Sequence, residues 1–137
     1  MFLMREDNRI KILRLDHLVL TVRDIQKTCS FYNELLGMEA IVFGNGRKAL
    51  KFGNQKINLH EYGKKIEPKA LNPTPGSGDL CFIVDDPVDK IAEDLEQKGI
   101  NIIIGPVKRT GAAGTIVSVY LRDPDENLIE LSNYLNE

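Results

Sequence analysis

The sequence predicts an α+β fold made of two similar modules, each with the element order β-α-β-β-β. In both halves of the chain, apolar residues first alternate as in a strand and then recur with helical period. The halves align at an offset of 62 residues, and a single module would leave one sheet face unpaired, so we expect the modules to pair. The aligned landmarks are the strand starts His17 and Asp79, the helix N-caps Asp24 and Asp86, and the helix ends Gly37 and Gly99.

The first module is expected over residues 13–62. Asp24 suits an N-cap because its carboxylate can accept a hydrogen bond from the first helical turn. Gly37 suits a helix end because glycine adopts the left-handed conformation easily. The predicted elements are a strand over 15–22, a helix over 25–36, and strands over 38–43, 47–52 and 57–62.

Residues 63–78 join the two modules. This segment contains three prolines and three glycines and has no apolar periodicity. Long connections without regular structure are uncommon in compact domains and are often functional. We therefore expect either a linker or a long loop over a site. Residues 1–11 are expected to be a leader, with disorder as one alternative, that precedes a single domain over residues 12–134.

The second module is expected over residues 79–134. Asp86 is the predicted N-cap of its helix, with Pro87 as the first helical residue. The segment Asp-Pro-Asp-Glu-Asn at 123–127 has turn chemistry between two apolar strands and predicts a β-hairpin. The predicted elements are a strand over 79–84, a helix over 87–98, a strand over 100–104, a loop over 105–114, and strands over 116–121 and 128–134.

Composition excludes two classes of partner. Lys and Arg number 18 against 20 Asp and Glu, and the charges are scattered, so no basic stripe indicates nucleic-acid binding. No apolar run approaches the ~20 residues of a membrane span. We expect a cytoplasmic protein. The two cysteines, Cys29 and Cys81, are expected to be reduced and buried, although Cys81 shares a strand face with Asp79 and is also a candidate pocket thiol.

Four residues of metal-ligating or amide type stand at corresponding places in the two modules: His17, Asn58, Asp79 and Glu130. His60 follows Asn58 on the same strand face. Imidazole and carboxylate groups bind divalent first-row metals, so this set predicts a metal site. The alternatives are a core histidine at position 17, a loop-end aspartate at 79, a surface histidine at 60 and a rim glutamate at 130.

Three segments carry a family resemblance: Leu15-Asp16-His17-Leu18-Val19-Leu20-Thr21-Val22, Phe31-Tyr32 with Leu36-Gly37-Met38, and Arg122-Asp123-Pro124-Asp125 with Asn127-Leu128-Ile129-Glu130-Leu131. With them, residues 13–134 resemble the vicinal-oxygen-chelate superfamily of glyoxalase I, fosfomycin-resistance proteins, extradiol dioxygenases and bleomycin-resistance proteins. The chain is most similar to its glyoxalase domain-containing protein 5, or virulence-protein-like, branch. Three further segments carry that similarity: Gly53-Asn54-Gln55-Lys56-Ile57-Asn58-Leu59-His60-Glu61, Pro73-Thr74-Pro75-Gly76-Ser77 and Gly105-Pro106-Val107-Lys108-Arg109-Thr110-Gly111.

The resemblance implies that the paired modules form a cupped mixed sheet around a metal, with the helices on the convex side. Its metal ligands would be His17, Asp79 and Glu130, which we expect to meet in one coordination sphere with His60 as a bordering ligand. Many relatives have histidine where this chain has Asp79, and glyoxalase I has glutamate where it has Asn58. This oxygen-rich set favours Mn²⁺ or Mg²⁺, while Zn²⁺ and Fe²⁺ remain alternatives.

The function implied is that of a metal-dependent lyase, isomerase or dioxygenase acting on a small oxygen-rich substrate. Glu130 and Tyr120 are the candidate catalytic residues. Asn58, Ser118 and Arg122 are candidates for binding the substrate, although Arg122 can instead brace the 123–127 turn. The alternative function is metal-free sequestration of a small molecule, as in bleomycin-resistance proteins. A homodimer is expected in either case.

Overall fold

Two β-α-β-β-β modules make up residues 8–136, the part of the chain that the computed structural model describes. Most of the predicted leader lies outside these described residues. The first module contains β1 His17–Val22, α1 Ile25–Leu36, β2 Glu39–Phe43, β3 Arg47–Phe52 and β4 Gln55–Glu61. The second contains β5 Asp79–Ile83, α2 Val88–Gln97, β6 Ile104–Thr110, β7 Thr115–Arg122 and β8 Leu128–Tyr134.

Each module forms an open four-stranded mixed sheet. The strand orders are β1-β4-β3-β2 and β5-β8-β7-β6, so the two modules have the same topology. The first strand of each module pairs parallel with the last, and the other pairs are antiparallel. The predicted fold of two paired modules with helices on the convex side is confirmed. Neither helix in residues 8–136 is long and apolar enough to cross a membrane.

The core lies between the sheets and the helices. In the first module α1 packs on β2, β3 and β4, and in the second α2 packs on β7 and β8. Side chains of both modules form one buried apolar cluster, so the modules share a core. Burial of each large aliphatic side chain in it contributes about 1.5–3 kcal/mol. The fully buried members include Val22, Leu50, Val119, Leu121 and Ile129.

The two helices begin differently, although the sequence predicted matching caps. Asp24 caps α1 as predicted, because its carboxylate accepts a hydrogen bond from the N–H of Lys27 at 3.0 Å. The prediction for Asp86 is wrong, since α2 has no side-chain cap of that kind from its own N-terminal residues. The side-chain oxygen of Asn133 on β8 instead accepts the N–H of Val88 at 2.9 Å. A residue of the sheet therefore caps the second helix.

The strand β6 occupies most of the segment 105–114 that was predicted to be a loop, and no strand covers 100–103. Gly105-Pro106 led to the wrong prediction, because proline lacks the N–H that a central strand needs. Since β6 is the edge strand of its sheet, one missing donor is tolerated there. The pairing with β7 shifts register between Ile104 and Val107, as at a β-bulge. Gly105 is required in this bulge, because its φ is +116° and an added Cβ would lie 2.4 Å from the Ser118 carbonyl oxygen.

The 123–127 turn forms the predicted hairpin and also joins the two modules. Asp123, only 5% exposed, accepts hydrogen bonds through one oxygen from the N–H groups of Asp125 and Asn127, both at 2.9 Å. Its other oxygen accepts the Tyr32 hydroxyl at 2.5 Å and the Asn127 amide at 2.8 Å. Tyr32 belongs to α1, so this single carboxylate ties the helix of the first module to the turn of the second.

Two neighbouring residues of the turn make further contacts with the rest of the chain. The Asp125 carboxylate accepts the backbone N–H of Arg23 at 3.1 Å and its guanidinium at 3.3 Å. The Asn127 side-chain oxygen accepts the N–H of Gly78 at 2.7 Å. A Cβ on Gly78 would lie 2.9 Å from that oxygen, so the close approach of the 63–78 segment to the turn depends on glycine. The turn is thus a hydrogen-bonded junction between modules.

Stability is expected to fall at alkaline pH because of Tyr32. Burial, together with the charge of Asp123 and the hydrogen bond to it, raises the pKa of Tyr32 far above its ordinary value. In the unfolded chain the phenol loses its proton above about pH 10, whereas in the folded chain it keeps it. The folded state then binds more protons, so the free energy of unfolding should fall by up to ~1.4 kcal/mol per pH unit above pH 10.

Urea unfolding between pH 8 and pH 11 checks this expectation. Tyr32→Phe should be less stable at pH 8, but its stability should fall less steeply above pH 10 than that of the wild type. Tyr62→Phe is the matched control, because Tyr62 is exposed, and it should keep the wild-type slope. Equal slopes for the two variants would contradict the assignment to Tyr32.

Candidate functional site

Each sheet has one face towards the helices and one face away from them. Along β1 and β4, Leu20, Val22, Ile57 and Leu59 are buried in the core, so the alternate residues point the other way. We call this other surface the first open face. Its residues on β1 and β4 are His17, Val19, Thr21, Lys56, Asn58 and His60. The second open face is its equivalent on β5, β8 and β7, with Asp79, Cys81, Glu130, Ser132, Ser118, Tyr120 and Arg122.

His17 is at the start of β1 and is not a core histidine, since 43% of its side chain is exposed. Its Nδ1 lies 2.8 Å from a carboxylate oxygen of Asp16. This hydrogen bond lowers the pKa of Asp16, with burial opposing it and Arg14 contributing. A histidine that donates from Nδ1 keeps the lone pair of Nε2 free to bind a metal. Sequence analysis missed Asp16, although adjacency to the predicted ligand was the signal.

Asn58 and His60 lie two residues apart on β4 and belong to the first open face. Asn58 is 4% exposed and its Oδ1 has no hydrogen-bond donor among residues 8–136. The Nε2 atom of His60 is buried and likewise without a partner within that range, although the residue as a whole is only partly buried. Burial lowers the pKa of His60, and the charges of Arg47 and Lys69 lower it further. His60 is therefore a neutral imidazole at physiological pH.

Glu130 is central on the second open face. In the strand register it stands opposite Cys81 on β5 and Tyr120 on β7. The Ser132 hydroxyl lies 3.5 Å from its carboxylate and 2.6 Å from the hydroxyl of Ser118. Ser118, a predicted substrate-binding residue, is fully buried, and its hydroxyl is hydrogen-bonded to the hydroxyl of Ser132. Ser118 therefore supports the position of Ser132 next to Glu130.

Tyr120 is held by an arginine that the sequence analysis did not single out. The Arg109 Nε donates to the Tyr120 hydroxyl at 3.1 Å, and its guanidinium lies 5.5 Å from the centre of the ring. Burial and the neighbouring Glu130 raise the pKa of Tyr120, while Arg109 opposes the rise. Arg109 is part of β6, so the mistaken loop prediction hid it.

The surroundings of Cys81 and Arg122 bear on two alternatives that the sequence left open. Both cysteines are free thiols, as expected, but Cys81 is exposed on the second open face and the prediction of burial is wrong for it. Partial burial raises the pKa of Cys81; the contact with the Ser132 hydroxyl opposes this rise, and the charges of Glu130 and Asp79 add to it, so the thiol is protonated. Arg122 donates to the carbonyl of Glu126 at 3.3 Å, which is the bracing contact within the turn.

The predicted metal ligands are not gathered within one chain. His17 belongs to the first module and Asp79 and Glu130 to the second, and within residues 8–136 no three His, Cys, Asp or Glu side chains are grouped closely enough to hold a metal ion. A cavity of about 650 Å³ lies elsewhere, on the helix side between the modules, with Leu35, Phe82, Ile91 and Leu95 among its walls. None of the predicted ligands lines it.

Comparisons with known proteins identify relatives over nearly the whole chain. The sequence profile of the Glyoxalase/Bleomycin resistance protein/Dioxygenase superfamily matches residues 14–131. Glyoxalase domain-containing protein RDO1 of Mycosarcoma maydis is 55% identical over 130 residues, which cover 95% of this chain and 73% of that protein. Virulence protein STM3117 of Salmonella typhimurium is 55% identical over 130 residues, covering 95% and 90%. The solved structure VPC_CASS1, from the mobile metagenome of V. Pseudocholerae, has a TM-score of 0.91 at 58% identity, covering 93% and 99%.

Proposed function

Because the chain belongs to the Glyoxalase/Bleomycin resistance protein/Dioxygenase superfamily, we propose that it is a metal-dependent enzyme acting on a small oxygen-rich substrate. The observation that carries the proposal is the pairing of His17 Nδ1 with Asp16, because a histidine that donates from Nδ1 has its Nε2 lone pair available to a metal. The donor set fits a divalent metal, with an imidazole from His17 and carboxylates from Asp79 and Glu130. Mn²⁺ or Mg²⁺ suits it best, and Zn²⁺ or Fe²⁺ is the alternative.

The proposed site forms between two copies of the chain. His17, Asp79 and Glu130 lie on open faces that the helices of the same chain do not cover, and no single chain groups them over residues 8–136. Pairing the first open face of one copy with the second open face of another would bring the three ligands together twice, with two-fold symmetry. The enzyme is then a homodimer with two sites. A cytoplasmic location would keep its free thiols reduced.

The residues of the second open face have chemical roles in this proposal. A divalent metal held by His17, Asp79 and Glu130 would supply stabilisation of negative charge on a substrate oxygen. Glu130 is the proton acceptor, because Ser132 orients its carboxylate and Tyr120 lies opposite. Tyr120, held by Arg109, donates a hydrogen bond to a substrate oxygen. Such an arrangement suits a lyase or isomerase reaction that passes through an enolate or alkoxide.

Metal titration of chelator-treated protein tests the proposed function. We expect one divalent ion per chain, measured by calorimetry and by elemental analysis after dialysis. The second candidate function is metal-free binding of a small molecule. It is favoured by Asn58, which stands where glyoxalase I has a glutamate ligand. A protein that binds none of Mn²⁺, Mg²⁺, Zn²⁺ or Fe²⁺ at stoichiometric level would decide for that candidate.

Replacing Asp16 is expected to weaken the metal site without unfolding the protein. Asp16→Asn keeps the size of the side chain but removes the charge that fixes the hydrogen on Nδ1 of His17. Loss of such a supporting carboxylate typically lowers metal affinity 10–100-fold, so we expect roughly that effect in the same titration. Asp89→Asn, an exposed aspartate on α2, is the control and should leave the affinity unchanged. An unchanged affinity in Asp16→Asn would show that His17 does not bind the metal through Nε2.

A further inference from the structure

A second cavity, of about 330 Å³, lies between the edge of β1 and the 63–78 segment. We call it the loop cavity. Its polar walls include Thr21 on β1, His60 on β4, and Lys69, Thr74 and Ser77 from the segment above. The volume is at the lower end of the range for sites that hold small molecules. A segment that looked like a linker or a lid in the sequence is therefore the roof of a cavity.

The charges around the loop cavity favour an anion. Within the described part of the chain, its walls include Lys69 but no aspartate or glutamate. The Lys69 side chain is only 33% exposed, and its ion pair with the largely exposed Glu67 is long, at 3.7 Å. An exposed pair of this kind is weak, so the ammonium group remains available to a ligand.

Two unpartnered polar atoms of β4, on His60 in the cavity wall and on Asn58 next along the same strand face, define a second requirement. His60 Nε2 is buried without a partner among residues 8–136 and can donate a hydrogen bond to an anionic oxygen in its Nε2–H form. Asn58 Oδ1, also unpartnered within those residues, can only accept one, so it requires a donor such as a hydroxyl. Residues two apart on one strand face are roughly 7 Å apart. A small molecule is therefore long enough to place an anionic oxygen at His60 and a hydroxyl at Asn58.

We propose that the loop cavity binds the anionic end of a small hydroxylated carboxylate or phosphate. Lys69 and His60 hold the anionic group, and Asn58 accepts a hydrogen bond from a hydroxyl of the same molecule. The inference rests on the proposed function, because the bound molecule would be the substrate of the proposed enzyme. Its anionic end would lie in the loop cavity, and its other oxygens would face the first open face. It gives His60, which the sequence placed at the border of the metal site, a role in binding substrate.

Binding of three probes to the chelator-treated, metal-free protein tests the proposal. The probes are glycerate, glycerol 3-phosphate and neutral glycerol, followed by amide chemical shifts in ¹⁵N-labelled protein. We expect both anions to shift the signals of Thr21 and of residues 69–77, and glycerol to leave them unchanged. The anion that binds more tightly identifies the group as carboxylate or phosphate. No shift with either anion, or equal shifts with glycerol, would overturn the proposal.

Variants of two lysines in the same segment sharpen the test. Lys69→Gln should weaken anion binding about tenfold or more, because a buried charged hydrogen bond is lost, and Lys69→Arg should retain most of the affinity. Lys64→Gln is the matched control, since Lys64 pairs with Glu61 at 3.6 Å and does not line the cavity. Equal losses in Lys69→Gln and Lys64→Gln would contradict a specific contact with Lys69.

The result of the anion-binding experiment can be distinguished from the result of the metal titration. All probe measurements are made on metal-free protein after the chelator has been dialysed away, so a protein that binds no metal can still bind the anions. A protein that binds metal but neither anion would retain the proposed function and lose this inference. Thermal unfolding midpoints of the variants exclude misfolding as the cause of a loss, and the wild-type comparison of anions with glycerol is independent of any variant.

Discussion

Asp123→Ala is expected to lower the free energy of unfolding by about 3–5 kcal/mol. The carboxylate accepts four hydrogen bonds while it is only 5% exposed. Truncation leaves the Tyr32 hydroxyl, two backbone N–H groups and the Asn127 amide without their acceptor in a site that water reaches poorly. Each orphaned buried donor costs more than its hydrogen bond contributed, so the loss exceeds that of an ordinary surface aspartate.

Chemical denaturation of Asp123→Ala beside Asp85→Ala measures this effect. Asp85 is exposed, so its replacement should change the free energy of unfolding by less than about 0.5 kcal/mol. Since the turn joins the modules, Asp123→Ala should also broaden the transition or separate the unfolding of the two modules. A loss below about 1 kcal/mol would mean that water replaces the missing carboxylate and that the turn does not hold the modules together.

Local signals explain which elements the sequence predicted well. The bounds of α1 agree with the prediction because its start and end are encoded by neighbouring residues, Asp24 and Gly37. The cap of α2 comes from Asn133, which is 45 residues from the N–H it accepts, and a local pattern cannot show such a contact. The strand β6 was missed for a related reason. Only the position of that strand at a sheet edge makes Pro106 acceptable there.

The candidate site shows the same division between local and distant information. Alternation along the strands correctly placed Asn58 and Glu130 on faces opposite the core. It gave no information about Arg109, whose contact with Tyr120 depends on the register of β6 against β7. The same limit applies to the turn. Asp123 was predicted as turn chemistry, but its bond to Tyr32 spans 91 residues and makes it a junction between modules.

Removing a single metal ligand is expected to abolish stoichiometric metal binding, with a loss of affinity on the order of 100-fold or more. His17→Ala removes the imidazole of the first module, and Glu130→Gln removes the carboxylate charge of the second. Both side chains are partly exposed, so each variant should fold with nearly unchanged stability. The two variants therefore damage opposite halves of the proposed site.

Mixing these two variants should restore metal binding if the site forms between copies. In a dimer of one His17→Ala chain and one Glu130→Gln chain, one site carries both defects and the other has neither. Co-refolding at equal amounts makes half of the dimers mixed, so about one quarter of the sites should bind metal. A doubly substituted chain mixed with wild type in the same ratio is the control. Each site of its mixed dimers carries one defect, so only the all-wild-type dimers, with about one quarter of the sites, should bind metal. Sites formed within one chain would instead leave about one half of the sites intact in this control. Recovery of no sites in the first mixture would place all ligands within one chain, because neither variant could then supply what the other lacks.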